Sequence, residues 1–288
     1  MSTSIPANTR PLDGPPPRLQ APAGATDCHM HFYLPGYEPQ PGGPPIAELA
    51  TVADYRQVQK RLGLGRVVIT QPNAYQFDNR ALLQALGEIG PQTARAIIAV
   101  SPDMALADLA PLHGLGVRGA RIMNMPGGAA KLDVMPAVER LVRQLGWSLI
   151  VQFNGRDIAN HIDAFMAIES RYVIDHFGRF TPPVTPNDPG VDTVLRLIDR
   201  GNCWFKLCAS NEVGQSGPPH YADMAAIARR VVAHAPERII WGSNWPHVAV
   251  PRSAYPDDAH LLDLLLDCAT AQQRQRILVD NPQELYGF

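Results

Sequence analysis

The 288 residues suffice for one large α/β domain, and a 45% share of hydrophobic residues supplies a full core. A formal net charge of −2, with no run of like charges, leaves no electrostatic footprint for nucleic acid or an anionic membrane. No stretch approaches a membrane span, and the polar, Pro-containing N-terminus lacks a signal peptide's apolar core, so a cytoplasmic location is expected. Cys28, Cys203, Cys208 and Cys268 show neither disulfide-scaffold nor zinc-knuckle spacing. They read as reduced thiols, three of them in apolar or strand-like segments.

Residues 1–24, with the run Pro15-Pro16-Pro17, carry no hydrophobic period and predict an extended arm. From residue 25 to 288 a single domain is expected. Strand-like runs fall at Thr26–Tyr33, Arg66–Thr70, Arg95–Val100, Val117–Met123, Ser148–Phe153, Tyr172–His176, Cys203–Cys208 and Ile239–Trp245. Helical spacing lies between most of them, at Val52–Leu62, Asn79–Ile89, Met135–Gln144, Asp192–Ile198 and Tyr221–Ala235. Eight strands alternating with helices predict an α/β fold, a single (β/α)8 TIM barrel. A doubly wound open sheet is the alternative, but no glycine-rich fingerprint follows the first strand. The Pro- and Gly-rich segment 34–45 can be neither helix nor strand and predicts a loop walling the C-terminal mouth. The apolar helix Leu261–Cys268 could pack on its own barrel or make a homo-oligomer.

Strand alternation places Asp27, His29 and His31 on one face, and polar residues with this period belong to a barrel lumen. His176 ends the sixth strand, where catalytic side chains of this architecture sit, and Arg179 follows at the mouth. Arg121 lies among apolar residues of the fourth strand. A buried guanidinium needs an anion, either a substrate carboxylate held bidentately or a buried Asp27 or Asp175. Lys206 on the seventh strand poses the same choice. Gln152 on the fifth strand, with Gln71, Asn73 and Tyr75 after the second, adds neutral hydrogen-bonding groups suited to a hydroxylated ligand.

Three motifs in order carry a resemblance: His29-Met30-His31, Asp175-His176-Phe177-Gly178-Arg179 and Trp241-Gly242-Ser243-Asn244-Trp245-Pro246-His247. From about Ala25 to Asn281-Pro282 the chain resembles the amidohydrolase superfamily, in the branch of 2-pyrone-4,6-dicarboxylate lactonase and D-galactarolactone isomerase. The stretches around Met30–Tyr37, Gly119–Met123 with Pro126-Gly127-Gly128, and Asn244–His247 resemble the isomerases of that branch; the retained His29 departs from their pattern. The resemblance implies that metal-using members hold their ion at positions where this chain has Arg121, Gln152 and Asn244. It therefore implies a site without a metal, with zinc on His29, His31 and His176 as the alternative. In the lactonases a strand-eight Asp activates water; an amide at 244 cannot act as a base.

The expectation is a lactone isomerase acting on a small sugar-diacid lactone by intramolecular acyl migration, since a substrate hydroxyl at an effective molarity of roughly 10⁵ M or more offsets a weak base. His31 or His176 would shuttle the proton, with His29 also catalytic, and Asn244 would donate to the oxyanion or orient the attacking hydroxyl. Arg121, Gln152, Asn73, Tyr75, Arg179 and Lys206 would bind substrate. The rivals are a lactone hydrolase with a histidine base, a zinc-dependent hydrolase or decarboxylase, and a non-catalytic sugar-acid binding protein.

Overall fold

The computed structural model describes residues 5–288, so the first four positions of the expected arm lie outside the described residues. Eight parallel strands follow one another round a single sheet in sequence order. They are β1 (Thr26–Met30), β2 (Arg66–Thr70), β3 (Ala94–Ile98), β4 (Val117–Met123), β5 (Ser148–Gln152), β6 (Tyr172–Ile174), β7 (Cys203–Cys208) and β8 (Ile239–Gly242). Closure comes from backbone bonds just past the outer strands: His31 N donates to Trp245 O at 2.8 Å, and Asn244 N donates to His29 O at 2.8 Å. An open sheet has no such bonds. The fold is the (β/α)8 barrel.

Helices Val52–Leu62, Arg80–Ile89, Met135–Gln144, Pro189–Asp199 and Ala222–His234 agree with the expected segments to within a few residues. The first has a Thr51/Asp54 capping box, a left-handed Gly63 at its end, and Val52, Tyr55, Val58 and Leu62 facing the sheet. Helix Leu106–Leu115 after β3 was not anticipated; it contains Pro111 and buries only Leu109, so it carries no apolar stripe to read. Helix Asp258–Cys268 buries Leu261, Leu262, Leu264 and Leu265 within its own chain, and Trp241 Nε1 donates to Leu261 O at 3.1 Å. All four cysteines are free and buried. Among the described residues no helix is long and apolar enough to cross a membrane.

Residues 5–24 contain no helix or strand. They lie against the barrel through Leu49 N to Pro6 O at 2.8 Å and Leu19 N to Asp263 Oδ1 at 2.8 Å.

The strict alternation expected for β1 does not hold. A register shift between Asp27 and Met30 interrupts it. Cys28 joins Val68, Ile97, Ile150, Val173, Trp204 and Ile240, one residue from each of seven strands, in the inner cluster of the barrel. Asp27, expected in the lumen, turns instead to Tyr55 of the first helix and to Ser243 beyond β8. Its carboxylate accepts from Ser243 N (2.9 Å), Ser243 Oγ (2.5 Å), His29 N (3.0 Å) and Tyr55 Oη (2.9 Å). Burial raises its pKa against those four donors.

This seam sets His29 against Gly242, where an added Cβ would come within 2.6 Å of His29 Cβ and 2.8 Å of its backbone nitrogen. Gly242→Ala is therefore expected to destabilise the barrel by about 1–3 kcal/mol in urea unfolding, the usual cost of overpacking. A neutral substitution would show that β1 and β8 are not this tightly apposed.

Candidate active site

The strands end before the site begins. His31, His176 and Asn244 lie just past β1, β6 and β8, at the end of the barrel where catalytic groups gather. The turns carrying them hold unusual backbone: φ is 51° at His176, 51° at Phe177, 45° at Arg179, 65° at Asn244 and 57° at His247. Left-handed conformations in side-chain-bearing residues cost free energy and cluster where geometry is functional. His247 secures the last turn through Nε2 to Asp258 Oδ1 at 2.8 Å.

A cleft of about 100 Å³ opens there, lined by His31, Tyr33, Pro44, Asn73, Arg121, Gln152, His176, Arg179, Glu212 and Asn244 among others. Pro44 makes the proline-rich loop after β1 a wall of the mouth. Six of the residues singled out from sequence meet here with Asn73: His31, His176, Asn244, Arg121, Gln152 and Arg179. Three others do not reach the cleft. Tyr75 turns to the loop, its hydroxyl accepting from Leu34 N at 3.2 Å. His29 and Lys206 lie beneath the cleft floor, fully buried. Gln71 is turned aside too, its amide donating to the carbonyls of Gln76 and Asp78.

Lys206 organises the floor. Its Nζ lies 3.1 Å from His29 Nδ1 and 3.2 Å from Asp175 Oδ1. An ammonium can only donate, so His29 Nδ1 accepts and its Nε2 carries the proton. His29 Nε2 then donates to His31 Nε2 at 3.3 Å, and His31 Nδ1 donates to the Thr70 carbonyl at 2.7 Å. Both imidazoles stay neutral. Burial, then Arg121, pushes His31 down to about 3. Burial takes His29 well below its ordinary value, against the pull of Asp175. Burial would raise the Asp175 carboxyl, but His29, Lys206 and His176 around it hold it well below the usual range. With His29 neutral, the ammonium is the charge that matters.

His176 differs from the other two. Its Nδ1 is 3.1 Å from Asp175 Oδ2, though off the line of a good hydrogen bond, and its Nε2 is left for the cleft. Arg121 is held by neutral groups alone: Nη1 donates to Gln71 O at 2.8 Å and Nη2 to Gln152 Oε1 at 2.9 Å. Neither Asp27 nor Asp175 forms the ion pair that the sequence left open for it. Burial lowers its pKa from a very high ordinary value, and it remains a cation. Arg179 Nη1 pairs with Glu212 Oε2 at 3.3 Å, and Asn244 Nδ2 donates to Glu212 Oε1 at 2.7 Å.

Sequence reasoning missed Tyr33, Asp175 as a site residue, and Glu212. Tyr33 continues the alternation of His31 and could have been found. Asp175 sits inside a motif already marked. Glu212 lies in the short helix Ser210–Val213 after β7, and only its place beyond a strand's C-terminal end signals it.

The family model for amidohydrolases matches residues 26–288. The chain belongs to the amidohydrolase family. It is an enzyme whose relatives include D-galactarolactone isomerase of Agrobacterium fabrum, 42% identical over 96% of both chains. It is 33% identical to a 2-pyrone-4,6-dicarboxylate hydrolase of Comamonas testosteroni, over 94% of this chain and 92% of that one. A crystal structure of an Agrobacterium tumefaciens protein in its apo form superposes with a TM-score of 0.89 at 42% identity, covering 94% of this chain and 98% of the other.

Neutral buried histidines make stability depend on pH. The unfolded state binds a proton at His31 near 6.5 and the folded state only near 3. Its contribution is thus complete above 6.5 and is lost progressively as pH falls from 6.5 towards 3. Urea unfolding between pH 7 and 5 is expected to lose on the order of 1 kcal/mol per unit for this residue. His31→Gln should flatten the slope by close to one proton; an unchanged slope contradicts the assignment.

Proposed function

We propose that this amidohydrolase interconverts the ring forms of a sugar-diacid lactone by intramolecular acyl migration, without a metal. The observation that carries this is Arg121, whose guanidinium faces the cleft with no carboxylate partner among the described residues. Lys206 is offset by Asp175 and Arg179 by Glu212, which leaves one positive charge uncommitted. A diacid lactone has one carboxyl in its ring ester and one free, so it matches a single spare guanidinium. A pyrone dicarboxylate brings two free carboxylates and would leave one without a cation.

The Lys206 ammonium weighs against a resident dication on the floor. The ligand atoms of His29, Asp175, His176 and Cys208 lie within 4.8 Å of one another, and on that basis alone could hold an ion. His31, included in the zinc set considered from sequence, has both nitrogens engaged elsewhere. The Lys206 ammonium contacts two of the four candidate ligands. An ion about 2.1 Å from both His29 Nδ1 and Asp175 Oδ1 would lie within about 4 Å of that nitrogen. At an effective dielectric of 20 the repulsion is on the order of 8 kcal/mol. Lys206 therefore supplies the positive charge of the floor itself.

The chemistry follows from what faces the cleft. The free carboxylate binds Arg121, and a ring hydroxyl is held against the acyl carbon. That hydroxyl bonds to the carbonyl as the original ring C–O bond breaks, and one proton passes from the attacking to the leaving oxygen. His176, with Nε2 free, transfers a proton at one of these oxygens; His31 is too weak a base and has no free nitrogen. The Asn244 amide is a hydrogen-bond donor at the cleft, where the lactonase-like members carry a carboxylate on the eighth strand.

NMR of the purified enzyme with an aldarolactone panel should show one lactone converting to another before free acid accumulates. Turnover to free acid alone would replace this reading by hydrolysis. Arg121→Met should lower kcat/KM by roughly 10²-fold, the loss of a charge-assisted bidentate contact of ~3 kcal/mol. Zinc analysis of unchelated protein should find well under one equivalent, and chelator should leave the rate unchanged.

A further inference from the structure

The two oxygens that exchange places in an acyl migration sit on different carbons, and each needs a proton partner of its own. His176 serves one. We propose that Glu212 serves the other as a catalytic residue, and that Asn244 is the positioning residue that holds it; this rests on the lactone-isomerase reading.

Four observations meet at Glu212. Its carboxylate lines the cleft beside His176, Arg179 and Asn244, with a side chain only 6% exposed. It is the one carboxylate among the residues lining that cleft. Each oxygen has a single protein donor, Asn244 Nδ2 on Oε1 and Arg179 Nη1 on Oε2 at the longer 3.3 Å, so lone pairs remain for a substrate hydroxyl. The helix that carries it is launched by Ala209 in a left-handed conformation (φ 60°), which turns the chain over the barrel mouth directly after β7.

The pair also explains the residue type at 244. A carboxylate there would stand 2.7 Å from Glu212, and two such groups cannot both ionise. An amide donates instead and fixes the acid in place. The carboxylate that β8 lacks is thus present, one strand away, and oriented by the asparagine that took its position.

In the forward step Glu212 takes the proton of the attacking hydroxyl as that oxygen bonds to the acyl carbon. The ring C–O bond breaks with its electron pair left on the departing oxygen, which takes the proton from Nε2 of protonated His176. The proton on Glu212 then returns to His176 through solvent, and the reverse reaction exchanges the two roles.

The experiment measures lactone interconversion by NMR in wild type, Glu212→Gln and Glu212→Asp, with thermal unfolding of each. Wild type is expected to be active, E212Q to lose roughly 10²–10⁴-fold in kcat, as expected for removal of a general base, at a KM within about threefold. E212D, which keeps the carboxylate, should recover at least tenfold over E212Q. An active wild type with E212Q within threefold of it in kcat overturns the role of Glu212 and leaves the isomerase reading standing. If E212Q fails to fold, E212D decides: a loss appearing only in KM, with kcat intact, equally overturns the role. A wild type inert on every lactone refutes the isomerase reading and takes this inference with it.

Discussion

A buried ammonium governs the site. Lys206 comes from the middle of β7, fully enclosed, and cannot be charged there without partners. Asp175 supplies the counter-charge and His29 the acceptor. From those contacts the tautomers of His29 and His31 follow in turn, ending on the Thr70 carbonyl. In a floor built this way the ring nitrogens of His29 and His31 are engaged with Lys206, with each other and with the Thr70 carbonyl. It also gives His29 a place in the site, as the acceptor that the ammonium requires.

Above this floor, neutral and charged groups divide the work. Gln152 and the Gln71 backbone hold Arg121 without neutralising it, which leaves a full cationic charge facing the cleft. Arg179 and Asn244 do the reverse for Glu212, keeping a carboxylate in place with only two donors. The left-handed residues at His176 and Arg179 after β6, and at Asn244 after β8, are the conformational cost of bringing these groups together.

Most of the architecture was legible because barrel strands are short, apolar and regularly spaced. His31, His176, Arg121, Gln152 and Asn244 were legible because charge or amide in such a strand has few uses outside the lumen. Two failures came from local backbone detail that periodicity does not encode. The shift in β1 sends Asp27 outward to Tyr55, and the turn after β2 points Tyr75 at Leu34 rather than into the cleft. Glu212 was hidden for another reason. In Ser210-Asn211-Glu212-Val213 it looks like any solvated acid on a short helix, and only the fold brings it against Asn244, 32 residues later in the chain. Asn244 read alone was a hydrolase without its base; beside Glu212 it is the donor half of a carboxylate pair.

In the proposed migration the substrate's own hydroxyl, not water, attacks the lactone carbonyl. Running the reaction in ¹⁸O-labelled water, with the lactone pool followed by mass spectrometry while ring forms equilibrate, tests this directly. Acyl migration predicts lactone interconversion with no label gained by the carboxyl groups. Label entering the carboxyl oxygens at the rate of interconversion would mean that each ring change passes through hydrolysis, and would contradict acyl migration.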